Sequence, residues 1–363
     1  MDVAPDTADS DHSTAIEEQT DVEGIDRGPV TEWLAANVDG SVAPYQFDLI
    51  AGGRSNLTYR VTDGAGHSYA LRRPPVSHVL ATAHDMAREH TVISALQGTD
   101  VPVPRTLGLC TDIDVNGAPF YVMSFVDGQI LRDERASSQV SEAVRGHASQ
   151  SLVDTLARLH AVDVDAVGLG DFARRQGYIA RQLKRWHGQF EQSTLDGSPG
   201  PAVIDRAWEA LSSKIPEQQG TAIVHGDYRL DNTVLDSRGN VIAILDWEIC
   251  TLGDPLADLG LLLVYWAEVG ENEHAVLGSA PTALAGFATR QQLIDRYAAA
   301  SGRDVSDVPY FCAFGIWKLA CILQGVYVRY AGGAAAGDRS GVDQFAETVV
   351  RLGERALADV EAL

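Results

Sequence analysis

Positive charge is what this 363-residue chain has least of. Its 28 Lys and Arg stand against 50 Asp and Glu, a formal net charge of −22. Nucleic acids and anionic membranes both require a basic face, so neither is expected as a partner. Any anionic ligand has to be drawn in by local cations, against the overall field. Cysteine is scarce too. The four present (Cys110, Cys250, Cys312, Cys321) show no C-x-x-C spacing and lie in apolar surroundings, which reads as buried, reduced thiols of an intracellular protein. The first residues are acidic and contain no apolar run, so no signal peptide is expected and a cytoplasmic location is. Apolar stretches at 256–269 and 311–328 are too short or carry Lys318, which predicts core helices rather than membrane spans. No internal repeat is evident.

What is present suits a folded protein. Hydrophobic residues make up 45% and charged residues 21%, ordinary for a globular chain long enough for one large or two medium domains. Residues 1–27 are rich in Asp, Glu, Ser and Thr, which predicts a disordered, solvated acidic tail. Order is expected from Val30, with Thr31 capping a short helix through Leu34. From Tyr45 to about Val126 the pattern is one of strands. Phe47 to Ile50 leads into the Gly-rich segment 51–56; Leu57 to Thr62, a turn at 63–66 and Ser68 to Arg73 follow. A helix is expected near 82–97. Two further strands at 106–110 and 120–125 are split by a turn at Asn116-Gly117. After Asp127 the chain turns helical, with helices expected near 141–160, 178–190, 254–268, 291–300 and 309–330. A small-residue loop at 331–339 precedes a last helix.

The most informative stretch is 221–259, TAIVHGDYRLDNTVLDSRGNVIAILDWEICTLGDPLADL. A short apolar run delivers His225, Gly226 and Asp227 to a loop, and Asn232 follows five positions later. Two apolar runs then flank a turn-rich segment, which reads as a hairpin whose second strand ends at Asp246. Two carboxylates and a carboxamide therefore leave strand ends close together. Mg²⁺ takes oxygen ligands and is usually held by one or two protein carboxylates plus substrate phosphates. Asn232 and Asp246 suit that role, leaving Asp227 to accept a proton from an attacking hydroxyl. The order matches the protein-kinase catalytic loop and metal Asp. Gly226 departs from it by standing where protein kinases carry Arg, and Asp246-Trp247-Glu248 replaces Asp-Phe-Gly.

With HGD-x4-N, then ILDWE, then Gly253-Asp254-Pro255 and Asp258 in order, the chain resembles the aminoglycoside phosphotransferase-like family. The wording YRLDN and LDWEICTLGDPLADLG resembles one branch, the bacterial relatives of the kinase-like domain attached to some acyl-CoA dehydrogenases. The resemblance covers nearly everything after the acidic tail. It implies an α+β, two-lobed protein-kinase-like fold: a small, mostly antiparallel β lobe over 28–126 that binds nucleotide, and a large, mainly helical catalytic and substrate lobe over 127–363.

The same resemblance gives roles to upstream residues. Gly52 and Gly53, with Ser55 and Asn56, form a loop whose backbone N–H groups could cradle phosphates, or a plain turn. Ala70 and Arg72 occupy the Ala-x-Lys positions of kinases, on one strand face. Arg for Lys is a departure, since a guanidinium is planar and bulkier. Arg73 points the other way and reads as solvated. Glu89 either pairs with the strand cation, as the kinase Lys–Glu pair does, or is an exposed helix acid. Met123, Ser124 and Val126 lead into Asp127-Gly128 as a hinge that meets an adenine edge, a domain linker, or both. His225, Arg229 and Glu248 support the site, His225 by packing rather than proton transfer. His160 reads as a capping or core histidine. A basic helix carrying Arg181, Lys184, Arg185 and His187 is either a solvated face or a wall for an anionic acceptor.

The function this implies is ATP- and Mg-dependent transfer of the γ-phosphate to a hydroxyl of a small molecule. Two acceptor classes compete: a hydroxyacyl-CoA-type metabolite, preferred because of the branch, and an aminoglycoside, whose polycationic character suits acidic walls. A nucleotide-binding pseudokinase that senses or scaffolds is the rival of another class, kept alive by Arg72 and opposed by the complete Asp227, Asn232, Asp246 set. Oligomeric state is left open.

Overall fold

Period-2 alternation over 46–73 predicts strands, and strands form there. The computed structural model describes residues 22–51, 56–76, 85–194, 200–271, 280–331 and 342–363. The small lobe runs α1 (Arg27–Asn37), β1 (Gln46–Ala51), β2 (Leu57–Thr62), β3 (Ser68–Arg73), α2 (Met86–Leu96), β4 (Thr106–Cys110), α3 (Ile113–Asn116) and β5 (Phe120–Ser124). Its strands pair antiparallel in the order β1-β2-β3-β5-β4. Side chains alternate across a strand, so each sheet face has its own task. Tyr59, Val61, Leu71, Phe120 and Val122 pack against Val30 and Leu34 of α1. Ala70, Tyr121 and Met123 face the opposite way, into a core that passes through α2 and on into the large lobe. Arg72 shares that second face by its register on β3.

Four expectations about this lobe need correcting. Order reaches back into the segment read as tail: Val22 and Ile25 pack on the α1 cluster, and the Tyr59 hydroxyl donates to the Glu23 carbonyl. Arg73 is not solvated. It is buried, donating to the carbonyls of Gly24 and Asn116, and so ties the incoming segment to the sheet. Thr31 is no cap, because α1 starts four residues earlier, after Asp26. The Asn116-Gly117 turn is likewise the end of α3, where Gly117 takes φ 68° and closes the helical turn between β4 and β5. The segments 77–84 and 332–341, and with them part of the expected α2 and the 331–339 loop, lie outside the described residues.

The large lobe continues with α4 (Glu134–Ser138), α5 (Glu142–Ala161), α6 (Tyr178–Gln192), α7 (Pro201–Ser213), β6 (Ala222–Val224), β7 (Thr233–Leu235), β8 (Val241–Ile244), β9 (Thr251–Gly253), α8 (Leu256–Tyr265), α9 (Arg290–Ser301), α10 (Val308–Ala331) and α11 (Val342–Glu361). β7 and β8 form the predicted hairpin, with Thr233 opposite Ile244, while β9 returns beside β6. α10 packs on α6, α7, α8 and α11. Gly260 allows the closest of these approaches, because a Cβ there would lie 2.6–2.7 Å from Phe311. By length and composition Val308–Val328 could cross a membrane, yet 67% of its apolar window is buried inside the lobe, as the core-helix expectation requires. α7 has no counterpart in the sequence reading. It opens with Pro201 after Gly200, a standard helix start.

Candidate active site

β6 is buried throughout and runs straight into His225, whose side chain has no exposed surface. A loop can be buried here only if its backbone donors are satisfied. Asp258, in the first turn of α8, does this: its carboxylate accepts the N–H groups of His225 at 2.7 Å and Gly226 at 2.8 Å. His160 Nε2 lies 3.3 Å from the same carboxylate and its Nδ1 2.7 Å from the Tyr297 hydroxyl, so His160 is a core histidine. Burial pushes the Asp258 pKa up, but the hydrogen bond and charge of His160 outweigh it and hold the group below its usual value. His225 has both ring nitrogens engaged. Nε2 is 2.9 Å from the Leu245 carbonyl, which needs a donor, and Nδ1 accepts from Asp227 N–H at 3.3 Å.

Asp227 emerges from this turn with its carboxylate held from two sides. Asn232 Nδ2 donates to Asp227 Oδ2 at 3.0 Å and to its carbonyl at 2.8 Å; Arg229 Nε donates to Oδ2 at 3.3 Å. Arg229 also reaches Asp231 at 3.1 Å and lies over the Tyr265 ring. The turn depends on Gly226 at φ 88°, where a Cβ would meet Ile249 at 3.0–3.1 Å. Left-handed backbone costs an L-residue about 1–2 kcal/mol before any clash. Gly226→Ala should therefore lower the melting temperature by several degrees, at about 2–4 °C per kcal/mol for a domain of this size. An unchanged melt would mean that the turn relaxes freely.

Asp246 follows β8 at φ 65°, the one left-handed non-glycine residue among those described. Aspartate tolerates this region better than most residues, and such outliers gather at functional sites. The Leu245 N–H donates to the Asn232 carbonyl at 2.9 Å, which locks the two chain segments side by side. Arg72 spans the lobes to meet Asp246. Its NH2 lies 2.5 Å from Asp246 Oδ1 and 3.9 Å from Glu248, while its Nε is 3.0 Å from Glu89, an ion-pair distance without hydrogen-bond alignment. Glu89 is thus the paired helix acid. It also accepts from Asn56 Nδ2 at 2.7 Å and the Tyr121 hydroxyl at 3.0 Å, and Asn56 Nδ2 reaches Glu248 at 3.3 Å. Three carboxylates therefore share one guanidinium. Burial pushes Glu89 up to about 7 despite Arg72 beside it. Burial and then the charge of Asp246 do the same to Glu248, up to about 7.

These groups border a cavity of about 590 Å³ between the lobes. Arg72, Asn56, Met123, Val126, Asn232 and Asp246 all line it, as do Arg60, Phe125 and Arg132, which the sequence did not single out. Glu89 stands behind Arg72. Ser124 does not belong to the wall. Its N–H donates to the Arg105 carbonyl at 2.8 Å and its hydroxyl accepts from Arg105 N–H, so the strand edge consumes it. Gly52, Gly53 and Ser55 lie outside the described residues.

A family model described as the phosphotransferase enzyme family matches residues 47–299, a span that holds Arg72, Glu89, Asp227, Asn232 and Asp246. The chain belongs to that family. The chain is 35% identical over 336 residues to the probable acyl-CoA dehydrogenase IBR3 of Arabidopsis thaliana, covering 87% of this chain and 40% of that one. It is 35% identical over 317 residues to acyl-CoA dehydrogenase family member 11 of Rattus norvegicus, 85% of this chain and 40% of the rat protein. The chain thus spans about two fifths of these curated relatives. A solved Ralstonia eutropha structure, designated an aminoglycoside phosphotransferase, superposes with a TM-score of 0.77 at 30% identity, covering 92% of this chain and 98% of that one. The two-lobed phosphotransferase fold expected from the sequence is the fold observed.

Two residues next to the Asp227 loop escaped the sequence reading. Tyr265 faces Asp227 and Arg229 from the end of α8. Lys318 donates to the Gly226 carbonyl at 2.8 Å. A Tyr at the end of one apolar helix and a single Lys inside another were the only signals.

Proposed function

We propose that the protein transfers the γ-phosphate of ATP, with Mg²⁺, to a hydroxyl of a small anionic acceptor of the hydroxyacyl-CoA type. The observation that carries this reading is the convergence of Asp227, Asn232 and Asp246 at the edge of one interlobe cavity, with Arg72 held beside them. Phosphoryl transfer asks little covalent work of a protein, and positioning with charge neutralisation dominates.

The residues fit the metal. Asn232 spends its amide nitrogen on Asp227, which leaves its carbonyl oxygen as a ligand, and Asp246 contributes a carboxylate oxygen on the same wall. Both are hard oxygen donors, and the cluster of Glu89, Asp246 and Glu248 carries more negative charge than Arg72 balances. A Mg²⁺ ion held by Asn232 and Asp246 would neutralise charge on the transferring phosphates. Met123, Phe125 and Val126 offer an apolar wall for a base. Arg72 faces the phosphates. At the reacting atoms, the acceptor oxygen bonds to the γ-phosphorus, the bond to the β,γ-bridging oxygen breaks, and the hydroxyl proton passes to Asp227. Asn232 and Arg229 orient the Asp227 carboxylate for that task. His225, with both nitrogens engaged, holds the loop.

The names of the relatives favour the anionic acceptor, because the segment this chain matches belongs to proteins named acyl-CoA dehydrogenases. The cations nearest Asp227 are already engaged, Arg229 with Asp227 and Asp231 and the buried Lys318 with the Gly226 carbonyl. The test is turnover on 3-hydroxybutyryl-CoA against kanamycin, with kcat/KM expected to favour the thioester by at least about 10², the discrimination that a few mismatched contacts supply. Phosphorylation of the aminoglycoside alone would reverse the acceptor assignment, and phosphorylation of nothing in a wider metabolite screen would favour a nucleotide-binding scaffold.

A further inference from the structure

α10 is apolar over most of its length and carries a buried cation, Lys318, which is 6% exposed. An unpaired charge in such a place is expensive, and buried charges normally sit against a carboxylate. Lys318 does not: among the described residues its Nζ makes no ion pair, and its hydrogen-bond acceptor is the Gly226 carbonyl at 2.8 Å. The remaining support is electrostatic. The Trp186 ring lies 5.3 Å from Nζ, and Asp227 and Asp258 offset the burial and the nearby Arg185, though burial still keeps the ammonium pKa below its usual value.

The acceptor atom is informative. Gly226 sits at φ 88°, and the peptide that follows it carries Asp227. Asp258 grips the N–H side of this turn at His225 and Gly226, while Lys318 grips its C=O side. Asp258 holds the preceding N–H groups and does not reach the Gly226–Asp227 peptide itself. That peptide is held at its N–H by His225 Nδ1, in a long 3.3 Å contact, and at its C=O by Lys318 at 2.8 Å, and together these set the direction in which the Asp227 side chain leaves the backbone. A core helix thus delivers a charged donor to one backbone oxygen.

We propose that Lys318 is a positioning residue for the reaction, acting through the Gly226 carbonyl to hold Asp227 in register with the acceptor hydroxyl. The inference rests on the proposed role of Asp227, and it assigns a loop-orienting duty to a residue far from it in sequence. Lys318→Met is the direct test, because methionine fills similar volume without the donor or the charge. The readouts are the Kd of Mg·ATP by calorimetry, and kcat and KM for ADP release with 3-hydroxybutyryl-CoA, with water alone as a second acceptor. The expected result is a fall in kcat of tenfold or more on both acceptors, with Kd and KM for ATP within about twofold of wild type, since a misaimed Asp227 slows the transfer and leaves the nucleotide cavity intact. Wild-type kcat in the variant would overturn the proposal. So would a collapse of nucleotide affinity alongside kcat, because Lys318 would then be holding up the lobe and not the loop. Lys318→Arg, which keeps a charged donor on the same helix, should recover part of the lost kcat; recovery no better than methionine would count against it. Failure of the wild-type protein to phosphorylate any hydroxyl, water included, would instead sink the functional reading on which this rests.

Discussion

Asp227→Ala should nearly abolish phosphoryl transfer while leaving Mg·ATP binding within a few-fold of wild type. The two halves of that expectation have separate structural causes. Asp227 stands outside the wall of the interlobe cavity, whereas Arg72, Asn232 and Asp246 form part of it. Truncating Asp227 removes the proton acceptor and leaves the nucleotide's surroundings in place. A positioned general base contributes about 10²–10⁴-fold, which sets the expected loss in kcat. Part of the effect will come from Asn232, since its amide loses a carboxylate partner and is left holding only the Asp227 carbonyl. Asp227→Asn controls for this. It preserves volume and can still accept from Asn232, yet it cannot take the proton, so its kcat should fall almost as far as that of alanine. ADP release and calorimetry measure the two halves, and turnover unchanged in either variant would remove Asp227 from the chemistry.

The chain showed this residue plainly, and it hid the structure that holds it. HGD-x4-N and the Asp after the second hairpin strand are local patterns, and the strands that deliver them are short apolar runs bounded by turns, visible at period 2. The sheet was legible for the same reason. What could not be read were contacts made across long separations. Asp258 looks like an ordinary first-turn acid of α8, yet its task is to satisfy two N–H groups more than thirty residues earlier. Lys318 looks like an interruption in an apolar helix, and its partner is the Gly226 carbonyl, 92 residues away. Alternation predicts a solvated Arg73 because it gives only the face on which a side chain lies; its burial depends on residues 22–26, whose acidic composition resembles the tail. Ser124 lies close to the hinge in sequence, but its N–H and its hydroxyl are engaged with the Arg105 backbone, a contact that local sequence does not show.

Asp246→Ala should abolish the contribution of Mg²⁺ to nucleotide affinity and cut kcat by about 10³ or more, the scale on which charge stabilisation at the transferring phosphoryl group operates. The expectation can be separated from simple damage by its sign in the absence of metal. Asp246 holds Arg72 at 2.5 Å and shares it with Glu89 and Glu248. Removing one of the three carboxylates leaves the guanidinium less neutralised and takes a negative charge away from the phosphates. In EDTA the variant should therefore bind ATP as tightly as wild type, or more tightly. With Mg²⁺ added, wild type should tighten and the variant should not. Loss of outer-shell partners alone costs metal sites about 10–100-fold in affinity, so loss of a direct ligand should widen the gap at least that far. If Asp246 served only to pin Arg72, both proteins would respond to Mg²⁺ alike. Alanine also suffers at φ 65°, so Asp246→Asn is the necessary companion: it tolerates the left-handed backbone and keeps the volume. An asparagine variant that melts like wild type and still ignores Mg²⁺ assigns the effect to the lost carboxylate and not to strain.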